Sequence, residues 1–390
     1  MKKIICCLGL IAAVLYSSAQ AEKLHFKSVV ADTHNDALSS SSMKGLALDA
    51  DLNGKTHSDI NRFIKGGIDI QIFSIFCDGD QTNPFLFALK EMDSLDAVIG
   101  RNSNRAMLAY TYKDIKKGLK ENKFIAMKGV EGGHMIEDKI SNLDSLYKRG
   151  ARYMTLTWNN STSWATSAKD ETENKIPGLK KGLNDFGKQI VKRMNELGMM
   201  VDLSHVGEQT FWDAINTTAK PIIVSHSCVY NICPHRRNLK DDQIKAVGKN
   251  GGVICVNFYS GFLDSNYNRR KEAMINLHKT VTDSLKKLKI TDSGIDDFMA
   301  KNYPQEVNEL RAPFSLLLDH IDYIVKMIGA DHVGLGSDFD GIESPPQHLN
   351  GVQDYPLITK GLLERGYSKK DIKKILGENF LRVYKANAVN

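Results

Sequence analysis

Five short stretches of this chain place metal-binding or proton-carrying side chains directly after apolar runs. They are Asp32-Thr33-His34-Asn35-Asp36, Glu131 ahead of Gly132-Gly133, Ser204-His205, Ser225-His226 and Ser337-Asp338. Imidazole and carboxylate are the ligands that catalytic zinc takes, at roughly 2.0–2.2 Å. His34 and Asp36 stand two apart in a strand-like segment, so their side chains share a face and can grip one ion. His205 and His226 could hold a second, and the two oxygens of Glu131 could bridge. Two divalent ions roughly 3.5–4 Å apart polarise a carbonyl and ionise a shared water near neutral pH, which is hydrolytic chemistry.

Each residue alone has a plainer reading. A single strand-end histidine is usually a hydrogen-bonded core or loop residue, Asp32 could cap a turn, and Asp340 could belong to the Asp340-Gly341 turn. His25, His57, His134, His235, His278, His320, His332 and His348 lack a comparable setting and read as structural or surface residues. Five strand ends together are hard to assign to coincidence. A serine nucleophile fares worse, because no GxSxG elbow occurs and neighbouring Ser and His side chains on a strand point apart. The zincin signature HExxH is absent, and so is any CxxC pair.

The elements that must position these residues can be read from hydropathy. Eight short runs, at residues 28–33, 68–76, 124–130, 152–157, 199–204, 221–225, 252–257 and 332–337, are too continuously apolar for half-exposed antiparallel strands and read as buried parallel ones. Between them, residues 85–99, 183–197, 241–247 and 314–328 carry helical spacing. Eight strand–helix alternations predict a (β/α)8 barrel, whose active sites gather at the C-terminal ends of the strands. A dinucleotide fold would need GxGxxG after its first strand, where this chain has Thr33-His34-Asn35-Asp36. Residues 266–311 are charged and helix-like, and read as a helical insertion before the last helix and strand.

Acidic and basic residues are interspersed, and the formal net charge of +6 includes Lys2 and Lys3 at the very start, so nucleic-acid binding is not expected. Those lysines, the apolar run from Ile4 to Tyr16 and Ala19-Gln20-Ala21 read as a cleavable signal peptide over residues 1–21. The remainder, 22–390, is then one barrel domain, exported to the periplasm or secreted, with no stable membrane anchor. The apolar run is shorter than the roughly 20 residues that span a bilayer, which disfavours an uncleaved anchor. Four cysteines remain, Cys77, Cys228, Cys233 and Cys255; an oxidising compartment permits a disulfide from Cys228 or Cys233 to Cys255, and buried thiols are the alternative.

At the same residues the chain resembles the renal (membrane) dipeptidase family, a branch of the amidohydrolase-like barrels. The matching segments are DTHND (32–36), GVEGGHMI (129–136), GARYMTLTWNNSTSWA (150–165), VDLSHVGEQTFWD (201–213), SHSCVYNICPHRRNLKDDQI (225–244) and GLGSDFDGI (334–342). The resemblance implies a metallo-dipeptidase acting on L,L and L,D dipeptides through a hydroxide held between two zinc ions. His34 and Asp36 would hold one ion, His205 and His226 the other, with Glu131 between them. Asp338 would handle the proton, Arg237 the substrate's terminal carboxylate, and Tyr259 would line the pocket. A homodimer is also implied. One position departs from the family: Trp158 stands where a histidine that helps stabilise the oxyanion is expected. That leaves three alternatives: hydrolysis of N-acyl amino acids, another metal hydrolase such as a phosphoesterase or deaminase, or a non-catalytic binding relative. Phosphate chemistry would favour more cations at the mouth than Arg236 and Arg237. A decayed site would be expected to lose ligands first, and none is lost.

Overall fold

The continuously apolar runs do form buried parallel strands. In the computed structural model, which describes residues 19–176, 180–290 and 292–389, they are β1 (Ala31–Asn35), β2 (Ile70–Phe76), β3 (Ala106–Leu108), β4 (Phe124–Glu131), β5 (Ala151–Thr155), β6 (Met200–Asp202), β7 (Ile223–Ser227), β8 (Val253–Val256) and β9 (Val333–Leu335). Hydrogen bonding runs in the order β2-β1-β9-β8-β7-β6-β5-β4, and β2 pairs with β4 to close the ring. The closing register extends from Ile70 opposite Ile125 to Phe76 opposite Glu131. Eight strands thus make a (β/α)8 barrel. The ninth, β3, was not foreseen: three residues are too few to show a period. It pairs with Phe124–Ala126 at the entry of β4, below the stretch that β5 occupies.

Inward side chains fill the barrel. Ile70, Ile125, Met127, Tyr153, Met200, Ile223 and Val253 form one buried cluster, joined from below by Phe380, Val383 and Tyr384 of the C-terminal helix Asn379–Asn387. A larger cluster lies between strands and helices, where Phe314–Ile328 buries Leu317, Leu318, Ile321 and Ile324 at helical spacing. The predicted insertion is helical: Tyr267–Leu277, Lys279–Lys287, Asp292–Asn302 and Pro304–Leu310. It has a small core of its own around Tyr267, Met274, Ile295, Met299 and Leu310, and Lys271 Nζ ties it to Glu343 Oε1 at 3.1 Å.

Cys77, Cys228, Cys233 and Cys255 are all buried free thiols, so the disulfide expectation is not met. Cys255 faces the barrel interior while Cys228 lies in the outer layer, on the other side of the wall. The thiols of Cys228 and Cys233 instead donate to Asn257 O at 3.2 Å and Gly261 O at 3.5 Å. Residues 1–18 of the proposed leader lie outside the described residues; Ala19 to Ala21 form the first described helical turn, with Ala21 buried. No helix among the described residues is long and apolar enough to cross a membrane.

One histidine read as structural shows what that role entails. His320 is fully buried; Val229 N donates to its Nδ1 at 3.0 Å, and its Nε2 meets Leu263 O at 3.1 Å. The ring must therefore be neutral, with its proton on Nε2. Burial pushes its pKa from 6.5 down to about 4. The unfolded chain takes up a proton that the fold refuses, so this contribution is full above pH 6.5 and is lost as pH falls towards 4. Over that window the loss is on the order of 3 kcal/mol. Urea unfolding at pH 7.5 and 4.5 should show a steep fall for the wild type and a shallower one for His320→Gln. Equal slopes would remove His320 from the acid sensitivity.

Candidate metal centre and substrate cleft

The five strand ends meet at one mouth of the barrel. Glu131, the last residue of β4 and 4% exposed, stands at the centre. Its Oε2 lies 3.3 Å from His34 Nε2 and accepts from Ser74 Oγ at 3.1 Å. Its Oε1 lies 2.9 Å from His205 Nε2 and 3.5 Å from His226 Nε2. Each oxygen therefore faces a different set of imidazoles. On the first side, Asp36 Oδ2 is 3.5 Å and Asp338 Oδ1 3.9 Å from His34 Nε2. On the second, the Nε2 atoms of His205 and His226 are 3.0 Å apart.

The hydrogen bonds behind these rings fix where their protons sit. Tyr153 donates its hydroxyl proton to Thr33 O at 3.1 Å, so the same oxygen accepts from His34 Nδ1 at 2.8 Å. Ser225 Oγ donates to Asp202 Oδ2 at 2.6 Å and accepts from His226 Nδ1 at 2.8 Å. Asn159 Oδ1, an acceptor, is 3.3 Å from His205 Nδ1. All three rings are thus held with Nδ1 protonated and Nε2 bare, the tautomer a metal-binding imidazole adopts. His34 Nε2 and Asp36 Oδ1 are buried without a hydrogen-bond partner among the described residues. Buried polar atoms are rarely left so, and His34, Glu131 and His226, like His34, Asp36 and Asp338, lie close enough to share an ion.

Electrostatics argue the same way. Burial would push Glu131 up, but His34, His205 and His226 reverse this and hold its carboxyl well below the usual range. Burial alone would depress His34, yet the Tyr153 oxygen, Glu131 and Asp36 raise it well above the ordinary value. His226 is driven far down by burial and then by His34, and His205 to about 4 by burial and Arg237. Burial first, then Asp36, raises Asp338 well above the carboxylate range. These shifts come from buried carboxylates and imidazole nitrogens crowded together, a donor set that divalent cations satisfy. The residues present fit a metal.

Backbone strain marks the same spot. His205 at φ 62° and Asp338 at φ 61° are left-handed, which costs a non-glycine residue roughly 1–3 kcal/mol. Gly341 permits the close approach of its loop, since a Cβ there would lie 2.3 Å from Asp36 Oδ2.

Above the cluster opens a cleft of about 590 Å³, lined by Phe76, Trp158, Arg237, Tyr259 and Asp338 among others. Arg237 is 5% exposed, and its terminal nitrogens donate to Ser227 Oγ at 3.3 Å and His226 O at 3.1 Å while Nε has no partner among the described residues. Burial lowers it to about 10, so it is a desolvated cation. Trp158 packs against Phe76 with ring centroids 5.0 Å apart, and its ring lies 6.4 Å from His205. Tyr259 donates to Glu343 Oε1 at 2.8 Å, which turns its hydroxyl towards the cleft rim.

Every site residue expected from sequence is therefore at this mouth. The supporting partners were not foreseen: Tyr153, Ser225, Asp202, Asn159, and Asn257, whose Nδ2 donates to Asp338 Oδ2 at 2.7 Å. Asp32 is no ligand; it accepts from Ser337 N at 2.9 Å and Ser337 Oγ at 2.6 Å, pinning β1 to the end of β9. Asp202 plays the same part for β7, accepting from Ser225 N at 2.9 Å. An aspartate two residues before His34 and three before His205 was the available signal.

Removing the oxygen behind His34 should loosen its grip without touching a ligand. Tyr153→Phe is expected to weaken metal affinity about 10–100-fold, read by competition with a chelator. Unchanged affinity would deny Tyr153 an orienting role.

The backbone superimposes on several solved structures. A probable dipeptidase, PvdM, from Pseudomonas aeruginosa matches with a TM-score of 0.79 and 24% identity, over 95% of this chain and 98% of that one. The dipeptidase AC, a metallo peptidase of family M19, matches at 0.74 and 22% identity, over 92% and 98%. A metallo peptidase from Rhodobacter sphaeroides, liganded with a phosphinate mimic of the dipeptide L-Ala-D-Ala, matches at 0.74 and 20% identity, over 93% and 100%. At such identities these likenesses establish a shared fold. Residues 18–390 match the membrane dipeptidase family, peptidase family M19, and the chain belongs to that family of metallopeptidases.

Proposed function

We propose that this protein is an exported zinc dipeptidase that hydrolyses L,L and L,D dipeptides. The observation that carries the reading is Glu131, whose two oxygens each face a separate group of bare imidazole nitrogens. His34 and Asp36 would hold one zinc, His205 and His226 a second, and Glu131 both. Bound divalent ions supply Lewis acidity towards a carbonyl and acidify water at neutral pH. The chain supplies the rest. Asn257 holds Asp338 Oδ2, leaving Oδ1 turned to the cluster to accept a proton from the attacking water and return it to the departing amine. Arg237, a buried cation that no carboxylate neutralises by contact among the described residues, receives the substrate's terminal carboxylate as a guanidinium fork can.

Trp158 shapes the acyl side of the cleft. Its indole N–H cannot reproduce an imidazolium donor, and loss of one oxyanion donor commonly costs about 10²–10³ in rate. The apolar wall it makes with Phe76 favours a second reading, hydrolysis of N-acyl amino acids. The ligand set is complete, which speaks against a decayed binding protein.

Protein purified without chelator should carry about two zinc per chain and cleave Ala-Ala or Ala-D-Ala in a chelator-sensitive way. Cleavage of an N-acyl amino acid in place of any dipeptide would select the second reading, and a metal-free protein would overturn both. Arg237→Met should raise KM for dipeptides about 10–100-fold, with little effect on their C-terminal amides; an equal effect on both would remove Arg237 from carboxylate binding. A leader cut after Ala21 requires the exported protein to begin at Glu22, which mass spectrometry of its N-terminus can read.

A further inference from the structure

A second cavity of about 450 Å³ adjoins the cleft and shares His205 and Arg237 with it, so a substrate carboxylate on Arg237 would stand at its entrance. Its other polar lining includes Lys181, Arg236, Lys240, Glu171 and Glu208. The charges do not cancel. Glu208 is taken by Lys240 Nζ at 2.7 Å. Glu171 keeps its charge, but its oxygens face Thr166 Oγ1 at 2.5 Å and Gln209 N at 3.4 Å rather than a cation. On the cationic side, Lys181 Nζ reaches a backbone oxygen, Glu171 O, at 3.3 Å. Arg236 has a loose contact with Glu173 Oε1 at 3.7 Å, and Glu173 is itself held by Lys175 at 2.6 Å. Arg237 Nε is buried with no hydrogen-bond partner among the described residues.

A single terminal carboxylate uses Arg237. It leaves the charged lining, Lys181, Arg236, Arg237 and Lys240 against Glu171 and Glu208, with one positive charge in excess, and Lys181 and Arg236 are both exposed. The alternative assignment of these cations, to surface pairing, accounts for Lys240 but not for Lys181. We infer that this cavity is the subsite for the C-terminal side chain and that it selects acidic residues, aspartate or glutamate, through Lys181 and Arg236. The inference rests on the dipeptidase reading and names the substrate class within it. Opposite charges at a partly solvated site attract more weakly as salt rises, so the preference is also salt-sensitive.

The test compares isosteres that differ only in charge: Ala-Glu against Ala-Gln, and Ala-Asp against Ala-Asn, with L and D forms of the second residue, on the zinc-loaded enzyme. The acidic member should have the higher kcat/KM by about tenfold, through a lower KM, with a ratio that shrinks between 50 and 500 mM NaCl. In Arg236→Ala and Lys181→Ala the ratio should fall towards one, and in Arg236→Glu it should invert. Turnover of Ala-Gln with a wild-type ratio near one would overturn the subsite while leaving the dipeptidase reading intact. A ratio that survives both substitutions would place the acid selectivity elsewhere and overturn the assignment too. No turnover of any of these peptides would overturn the dipeptidase reading, and the inference with it.

Discussion

A carboxylate sealed into the mouth of an apolar barrel is costly unless cations meet it, and Glu131 imposes that condition on everything around it. Its two oxygens look in different directions, one to His34 and the other to His205 and His226. Three imidazoles could meet the demand as imidazolium ions, but His205 and His226 stand nitrogen to nitrogen at 3.0 Å, and both charged would repel. Their Nδ1 protons are already committed to oxygen acceptors behind them. The arrangement suits cations brought from outside, and the Glu131 oxygens face two separate groups of nitrogens.

The rest of the fold can be understood as the means of holding that geometry. Parallel strands bring residues far apart in sequence to one rim, and the β2–β4 closure sets Phe76 opposite Glu131. The barrel then needs its strand ends pinned, because a ligand displaced by an ångström is no ligand. Asp32 and Asp202 do this by accepting backbone and hydroxyl protons from Ser337 and Ser225 on neighbouring strands. Asp202 serves twice, since the hydroxyl it orients also fixes His226. The left-handed turns at His205 and Asp338 aim these side chains over the barrel mouth at a cost in backbone strain, which the surrounding packing overcomes.

The fold was legible because parallel barrel strands, buried on both faces, leave long apolar runs that no half-exposed strand would have. All eight ring strands could be placed that way, and His34, Glu131, His205 and His226 were legible as the residues directly after their runs. The short β3 escaped because Ala106-Met107-Leu108 leaves no periodic trace. The disulfide expectation failed because sequence shows cysteine separations but not which side of the wall each thiol faces. Tyr153 illustrates the deeper limit. It sits mid-strand between Arg152 and Met154 and reads as filling, yet its hydroxyl decides which nitrogen of His34 is bare. Hydrogen-bond direction belongs to three-dimensional neighbours 119 residues apart in the chain, and no spacing rule carries it.

Floor and walls of the cleft are built under different constraints, and this separates what kind of reaction the protein can perform from what it acts on. Each ligand on the floor is fixed by a hydrogen bond, a strand register or a steric limit such as Gly341. Changing one leaves a buried charge or lone pair unmet, so the floor tolerates little variation. The walls come from loops after the strands, where Trp158, Arg236, Tyr259 and Glu343 face solvent on one side and can change without exposing a buried charge. Trp158 illustrates the distinction: a bulky indole stands 6.4 Å from His205, and the three bare nitrogens keep their places. The family therefore follows from the floor, and the choice of substrate must follow from the size of the wall beside Phe76 and the charge of the wall beyond Arg237.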